Sequence, residues 1–420
     1  MLSLVRNPQG QRGPDAAPRD SVRYVTRQPI LDLQNKVRAY ELLFSEGPEE
    51  LLRRDREVAA RTIVDNAVLF GLNKLTNGLP AFVPCTAEML ADSLVEMLPA
   101  HMTVLEIRAG IDPPQALVDA CRELHAAGYR FALDRFAWLP GIDHLVVLAD
   151  YLKVSFADTS PRERQALLSR FNCSRATWVA SGVETPEQFA EAKNAGFSFV
   201  QGFYFCRPSL LKSRKVPANR ISQIEILQML KDEELDLRRL TELVKRDTSL
   251  TYRLLRLVNS PLCAMQQEVH SIQTALLALG EETFRRMAAV AITSELGSGQ
   301  PSELLRMAFV RGRFCEQAAR HCGLDGSEQY LLGLMSLLGV MLQTSMDELA
   351  PMLPFREGIR RALKGEPADE RVLLDWLENY ERGHWEACEI IAENRELDRE
   401  VLTDCFEEAV EWAEASLRFA

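Results

Sequence analysis

Paired cysteines, clustered histidines and long apolar runs are what this chain lacks. Its 6 histidines among 420 residues are scattered, and no His/Cys group has the spacing of a zinc site. The 9 cysteines are odd in number and none forms C-x-x-C. Reduced, mostly buried thiols fit that pattern better than a disulfide framework does. No stretch approaches the roughly 18 uninterrupted apolar residues of a membrane span, so no membrane is expected as a partner. The opening MLSLVRNPQGQRGPDAAPRD has no continuous apolar segment of the secretory kind. Its Pro, Gly and Arg content predicts a disordered lead-in over residues 1–20, and a cytoplasmic location is expected. An excess of positive charge is missing too: the net charge of −11 argues against broad nucleic-acid binding. The arginines of RLLRLVN and TFRRM read as the solvated edges of helices.

What is present is ample core material, 47% apolar against 26% charged residues, in a length suited to two or three domains. Over residues 21–208 short apolar runs alternate with helical stretches. AFVPC precedes AEMLADSLVEML; TVLEI precedes PPQALVDACRELHAAG; YRFAL follows. YLKVSF precedes PRERQALLSRF, ATWVASG precedes PEQFAEAKNAG, and FSFVQGFYF comes last. Strands separated by single helices predict a parallel sheet with right-handed crossovers. So many units in under 200 residues predict a small closed (β/α) barrel. Helices end at Gly128 and Gly196, as C-caps do. Residues 209–220 are polar, basic and contain proline, which reads as a linker. Residues 221–420 are helical in pattern, with apolar positions such as Leu240, Leu243 and Val244 three or four apart. SIQTALLALGEETFRRMAAVAIT and QYLLGLMSLLGVMLQTS should be central. Trp385–Leu417 is amphipathic and acidic, and Glu407, Glu408, Glu411 and Glu414 read as a solvated face.

In a barrel, chemistry sits at the C-terminal ends of the strands. Those ends carry Glu41, Pro84, Glu106, Asp134 followed by Arg135, Lys153, Ser181 and Gln201. Three acids, a lysine and an amide converging on one rim suit either a binding site or a ring of mutually satisfied polar groups.

The fragments RQPILDLQNKVRAYELLF, VLEI, ALDRF, YLKVS, ASGVET and VQGFYFCRP together resemble the EAL domain, a TIM-like barrel family whose members linearise cyclic di-GMP. The resemblance runs over about residues 23–208, and the RQPILD…YELLF form with a helical partner points to the EAL–HDOD subgroup. It implies a site for two magnesium or manganese ions held by carboxylates and an amide. Residue by residue it implies Glu41, Glu106 and Asp134 as metal-ligand positions, with Lys153 and Gln201 on the rim and Gln28 as the guanine contact.

Several positions depart from that pattern. Pro84 replaces a ligand asparagine and has no side-chain oxygen. Arg135 replaces the second acid of a double-aspartate motif and stays protonated. Ser181 replaces a glutamate, though Glu184 remains; Ala109 stands for a loop-steadying acid and Ser45 for a phosphate-clasping arginine. A fixed positive charge about 4 Å from a divalent ion would cost about 8 kcal/mol at an effective dielectric of 20. The expectation is therefore a barrel that holds no metal and does not turn over cyclic di-GMP. Gln28, Arg135, Lys153 and Gln201 remain compatible with nucleotide contact, whereas Lys153 paired with Asp134 or Glu106 would neutralise leftover acids without any ligand.

VKRDTSLTYRLLRLVNSPL, SIQTALLALGEETFRRM and YLLGLMSLLGVML resemble HDOD, a helical relative of the HD phosphohydrolases. The adjacent His and Asp of the catalytic relatives fall on Ser336 and Leu337, which offer no anchor for a catalytic metal. His270, His321 and His384 are isolated and do not replace them. The reading is an α/β barrel joined to an all-α bundle, both degenerate and acting as interaction or regulatory modules, with no cofactor. Expected partners are signalling proteins such as a sensor kinase, response regulator or diguanylate cyclase. The alternatives are a cyclic di-GMP receptor or a weak phosphodiesterase using Glu41, Glu106 and Asp134, and related barrels often form homodimers.

Overall fold

The computed structural model describes residues 25–44, 72–91, 94–108, 114–206, 248–263, 269–297, 299–353 and 355–418, with isolated positions between 223 and 244. The lead-in over 1–20, the linker over 209–220, Ser45 and Ala109 lie outside the described residues.

Eight strands close into a barrel in chain order: β1 (Val25–Asp32), β2 (Val37–Phe44), β3 (Ala81–Cys85), β4 (Thr103–Arg108), β5 (Arg130–Asp134), β6 (Tyr151–Ser155), β7 (Thr177–Ser181) and β8 (Phe199–Gln201). From β2 to β8 neighbours are parallel, as the alternating pattern predicts. β1 departs from it and runs antiparallel to both neighbours, β2 and β8. The reason is the short connection between β1 and β2: a parallel crossover needs a dozen or more residues. Here the chain turns back at once, with Asp32 Oδ1 accepting from the amides of Gln34 and Lys36 at 2.9 Å and Asn35 at φ 60°. FSFVQGFYF also differs: only three residues are strand. Gly202 ends it at φ 146°, where a Cβ would lie 2.0 Å from the Val183 carbonyl oxygen, so only glycine fits.

Local signals account for the barrel helices. α1 (Gln115–Ala126) ends before Gly128, whose φ is 95°. α2 (Pro161–Arg170) and α3 (Pro186–Ala195) each start with proline behind a full capping box, Ser160 with Glu163 and Thr185 with Gln188. Inside the barrel, Ile30, Ala39, Phe82, Val104, Ala132 and Val179 form a sealed apolar plug, with Tyr151 and Phe199 against it. These residues fix which parity of each strand faces inward.

The second domain is helical. Its helices include α4 (Thr248–Val258), α5 (Ile272–Leu279), α6 (Glu281–Leu296), α7 (Ser302–Ala319), α8 (Gly326–Met335), α9 (Leu338–Leu342), α10 (Val372–Glu381), α11 (Trp385–Asn394) and α12 (Arg399–Leu417). α6 and α8 are central, buried along most of their length. The SIQTALLALGEETFRRMAAVAIT stretch is two helices, because Gly280 at φ 76° breaks it. Where α7 meets α8, a Cβ on Gly333 would lie 2.2 Å from the carbonyl oxygen of Arg311. The two backbones therefore touch.

Candidate functional site

Eight of the barrel positions singled out from the sequence lie on the inner face, two residues from the apolar plug or the rings against it. Glu41 follows Ala39, Pro84 follows Phe82, Glu106 follows Val104 and Asp134 follows Ala132. Lys153, Ser181 and Gln201 follow Tyr151, Val179 and Phe199 in the same way. Gln28 precedes Ile30 on the reversed strand and is paired directly with Glu41.

Lys153 is the hub, with its side chain 1% exposed. Its ammonium lies 3.1 Å from Glu41 Oε2 and 3.7 Å from Asp134 Oδ1, and it donates to Glu106 Oε1 in closer contact still. Burial alone would lower the pKa of this lysine; the charges of Glu106, Glu41 and Asp134 outweigh burial and hold it above its ordinary value. Glu106 is equally buried, and burial, then the charge of Glu41, raise its carboxyl well above the usual range despite the opposing Lys153. Three carboxylates around one ammonium leave surplus negative charge, and burial favours the protonated form of Glu106. Gln201 donates to Gln28 Oε1 at 2.8 Å and also to Glu41 Oε2. Among the described residues, two buried acceptors, Glu106 Oε2 and Gln201 Oε1, have no hydrogen-bond partner.

Arg135 sits differently from the sequence expectation. It takes a left-handed φ of 45°, because Phe136 turns into the core, 1% exposed, with its amide donating to the Lys153 carbonyl at 2.7 Å. The guanidinium is consequently swung outward, 56% exposed, with Asp158 Oδ2 at 3.6 Å. The positive charge held among the three acids belongs to Lys153, and the repulsion assigned to Arg135 does not arise at this position. Glu184 also faces away, toward Arg382 Nη1 at 3.4 Å.

In the helical domain Ser336 caps the end of α8, its hydroxyl donating to the Gly333 carbonyl at 2.7 Å. Arg311 Nη1 donates to the same hydroxyl at 3.2 Å, and Leu337 is core, 3% exposed. Arg311 holds Glu381 through two contacts, Nη2 to Oε2 at 2.7 Å and Nε to Oε1 at 3.2 Å, and Glu378 at 3.0 Å. This buried fork was not foreseen from the sequence, in which Arg311 and Glu381 are 70 residues apart. Among the described residues no group of three or more His, Cys, Asp or Glu side chains is placed to hold a metal ion. Nor is any described helix long and apolar enough to cross a membrane.

Sequence comparison assigns both halves. The EAL domain model matches residues 84–208 and the HDOD domain model residues 217–371. Two curated relatives match nearly end to end. Uncharacterized protein YuxH of Bacillus subtilis (strain 168) is 30% identical over 400 residues, covering 93% of this chain and 97% of that one. The cyclic di-GMP phosphodiesterase CdgJ of Vibrio cholerae serotype O1 is 30% identical over 374 residues, covering 87% and 86%. The chain belongs to the EAL–HDOD family. Among solved structures it is similar to the PaMucR phosphodiesterase in its c-di-GMP complex, at 19% identity and TM-score 0.37, covering 44% of this chain and 96% of that one. It is also similar to an EAL domain protein from Listeria monocytogenes EGD-e, at 17% identity and TM-score 0.35, covering 44% and 87%.

Proposed function

We propose that this chain is a non-catalytic regulator in cyclic di-GMP signalling, a cytoplasmic protein whose two domains act on signalling proteins such as a sensor kinase, response regulator or diguanylate cyclase. The observation that carries this reading is the inner face of the barrel mouth. The donor set falls short of two divalent cations: Pro84 presents no side-chain oxygen, Arg135 is a cation turned out to Asp158, and Ser181 offers a hydroxyl in place of a carboxylate. In the helical domain Ser336 and Leu337 supply no metal anchor, and Arg311 fills the neighbouring space with a fixed charge. Incubation of the full chain with cyclic di-GMP and Mn²⁺ should give no linear dinucleotide, and Arg135→Asp should not restore turnover. Turnover like that of an intact EAL enzyme would overturn the reading.

A second reading is a cyclic di-GMP receptor. It is favoured by the buried acceptors Glu106 Oε2 and Gln201 Oε1, which a bound donor would satisfy, and by the activity named for CdgJ. Calorimetric titration with and without Mg²⁺ separates the two: heat without turnover selects the receptor, and no heat leaves the interaction module. The weak phosphodiesterase would use Glu41, Glu106 and Asp134, and it predicts slow metal-dependent turnover in the same samples.

A further inference from the structure

The four residues joining β1 to β2 hold no helix, and outward residues of this hairpin meet the second domain. Arg27 Nη2 reaches Glu414 Oε1 of α12 at 2.6 Å, and Tyr40 donates to Glu303 Oε2 of α7 at 3.0 Å. The Arg27 guanidinium stacks over the Tyr40 ring at 4.3 Å, and Glu303, 2% exposed, is clasped by Arg306, whose Nε donates to it at 2.8 Å. A pocket lined by Thr26, Arg27, Glu303, Arg306 and Glu381 opens beside this network. Strand alternation makes the next residue on each strand face the barrel interior. Gln28 follows Arg27 and meets Gln201; Glu41 follows Tyr40 and meets Lys153. Two adjacent residue pairs thus each carry one side chain to the helical domain and one to the polar cluster. The members of a pair share a peptide unit that moves as one rigid plane.

We propose that this hairpin couples the two domains, so that a change in the polar cluster of the barrel is felt by α7 and α12, and the reverse. The coupling concerns the resting chain and does not depend on which nucleotide, if any, the barrel accepts. Hydrogen–deuterium exchange on the full chain tests it without ligand. Glu303→Gln should raise exchange about tenfold over residues 25–44 and also over 103–108 and 151–155, the strands carrying Glu106 and Lys153, while 161–170 stays unchanged. Tyr40→Phe, which deletes only the hydroxyl, should do the same to a smaller degree and guards against a fold defect in the first variant. Gln201→Met should raise exchange over 302–319, because coupling between sites is reciprocal. A response confined to the mutated side, a response in one direction only, or a uniform rise across the chain would each overturn the proposal.

Discussion

The barrel and the bundle each bury a cation among acids, and they balance it in opposite ways. Lys153 faces three carboxylates with only Gln201 sharing one of them, and two acceptors beside it find no donor among the described residues. Arg311 has its fork filled by Glu381, a further bond to Glu378 and another to Ser336, while Arg371 takes the other oxygen of Glu378 at 2.7 Å. The first cluster is over-acidic, with more acceptors than the described donors meet. The second is complete and calls for nothing, as a structural core does. The planar five-donor guanidinium suits closure, whereas an ammonium on a flexible stem can be shared and re-aimed.

The sharpest way to break this contrast is to remove each cation. Arg311→Met should cost about 3–5 kcal/mol, because Glu381 would stay buried without a partner, and Arg311→Lys should recover only part of it; denaturant unfolding reads both. Lys153→Met should cost less, about 2–4 kcal/mol at pH 8, and distinctly less at pH 5. Its acids reach the barrel mouth and Glu106 can take a proton. The sign follows from the raised Glu106 carboxyl: protonation stabilises the folded state, fully below the unfolded value near 4.5, and this is lost as pH rises through the folded value. Equal losses at both pH values would mean that the acids are as rigidly paired as those around Arg311. The smallest effect is at Glu407, raised to about 7 by burial, then by Asp404 and Glu411. Its contribution fades from about pH 4.5 to 7, so Glu407→Gln should raise the melting temperature at pH 8 by about 1–2 °C and leave it unchanged at pH 4. A drop at pH 8 would show that this carboxylate has a partner in the folded state.

The barrel was legible because a strand has period two and its last inward residue is chemically conspicuous. That is enough to find Glu41, Glu106, Asp134, Lys153 and Gln201 on one inner face. The orientation of Arg135 was not legible, since it turns on the sign of one φ angle set by the burial of Phe136. The reversal of β1 follows from the four residues after Asp32, too few for a crossover. Glu414 was read as part of a solvated face, yet its carboxylate meets Arg27 from 387 residues away. Arg27 and Tyr40 carried a weak signal, a charge and a phenol on the outward parity of strands that a barrel helix would normally cover. Pairings at such sequence distance leave no local trace.

The contact between Gly333 and the Arg311 carbonyl has a genetic consequence. A methyl group at position 333 would have to push α7 off α8 by an ångström or more, carrying Arg311 away from Glu381 and Ser336 without altering a single charge. Gly333→Ala is therefore the allele to make when the helical half is to be switched off conditionally.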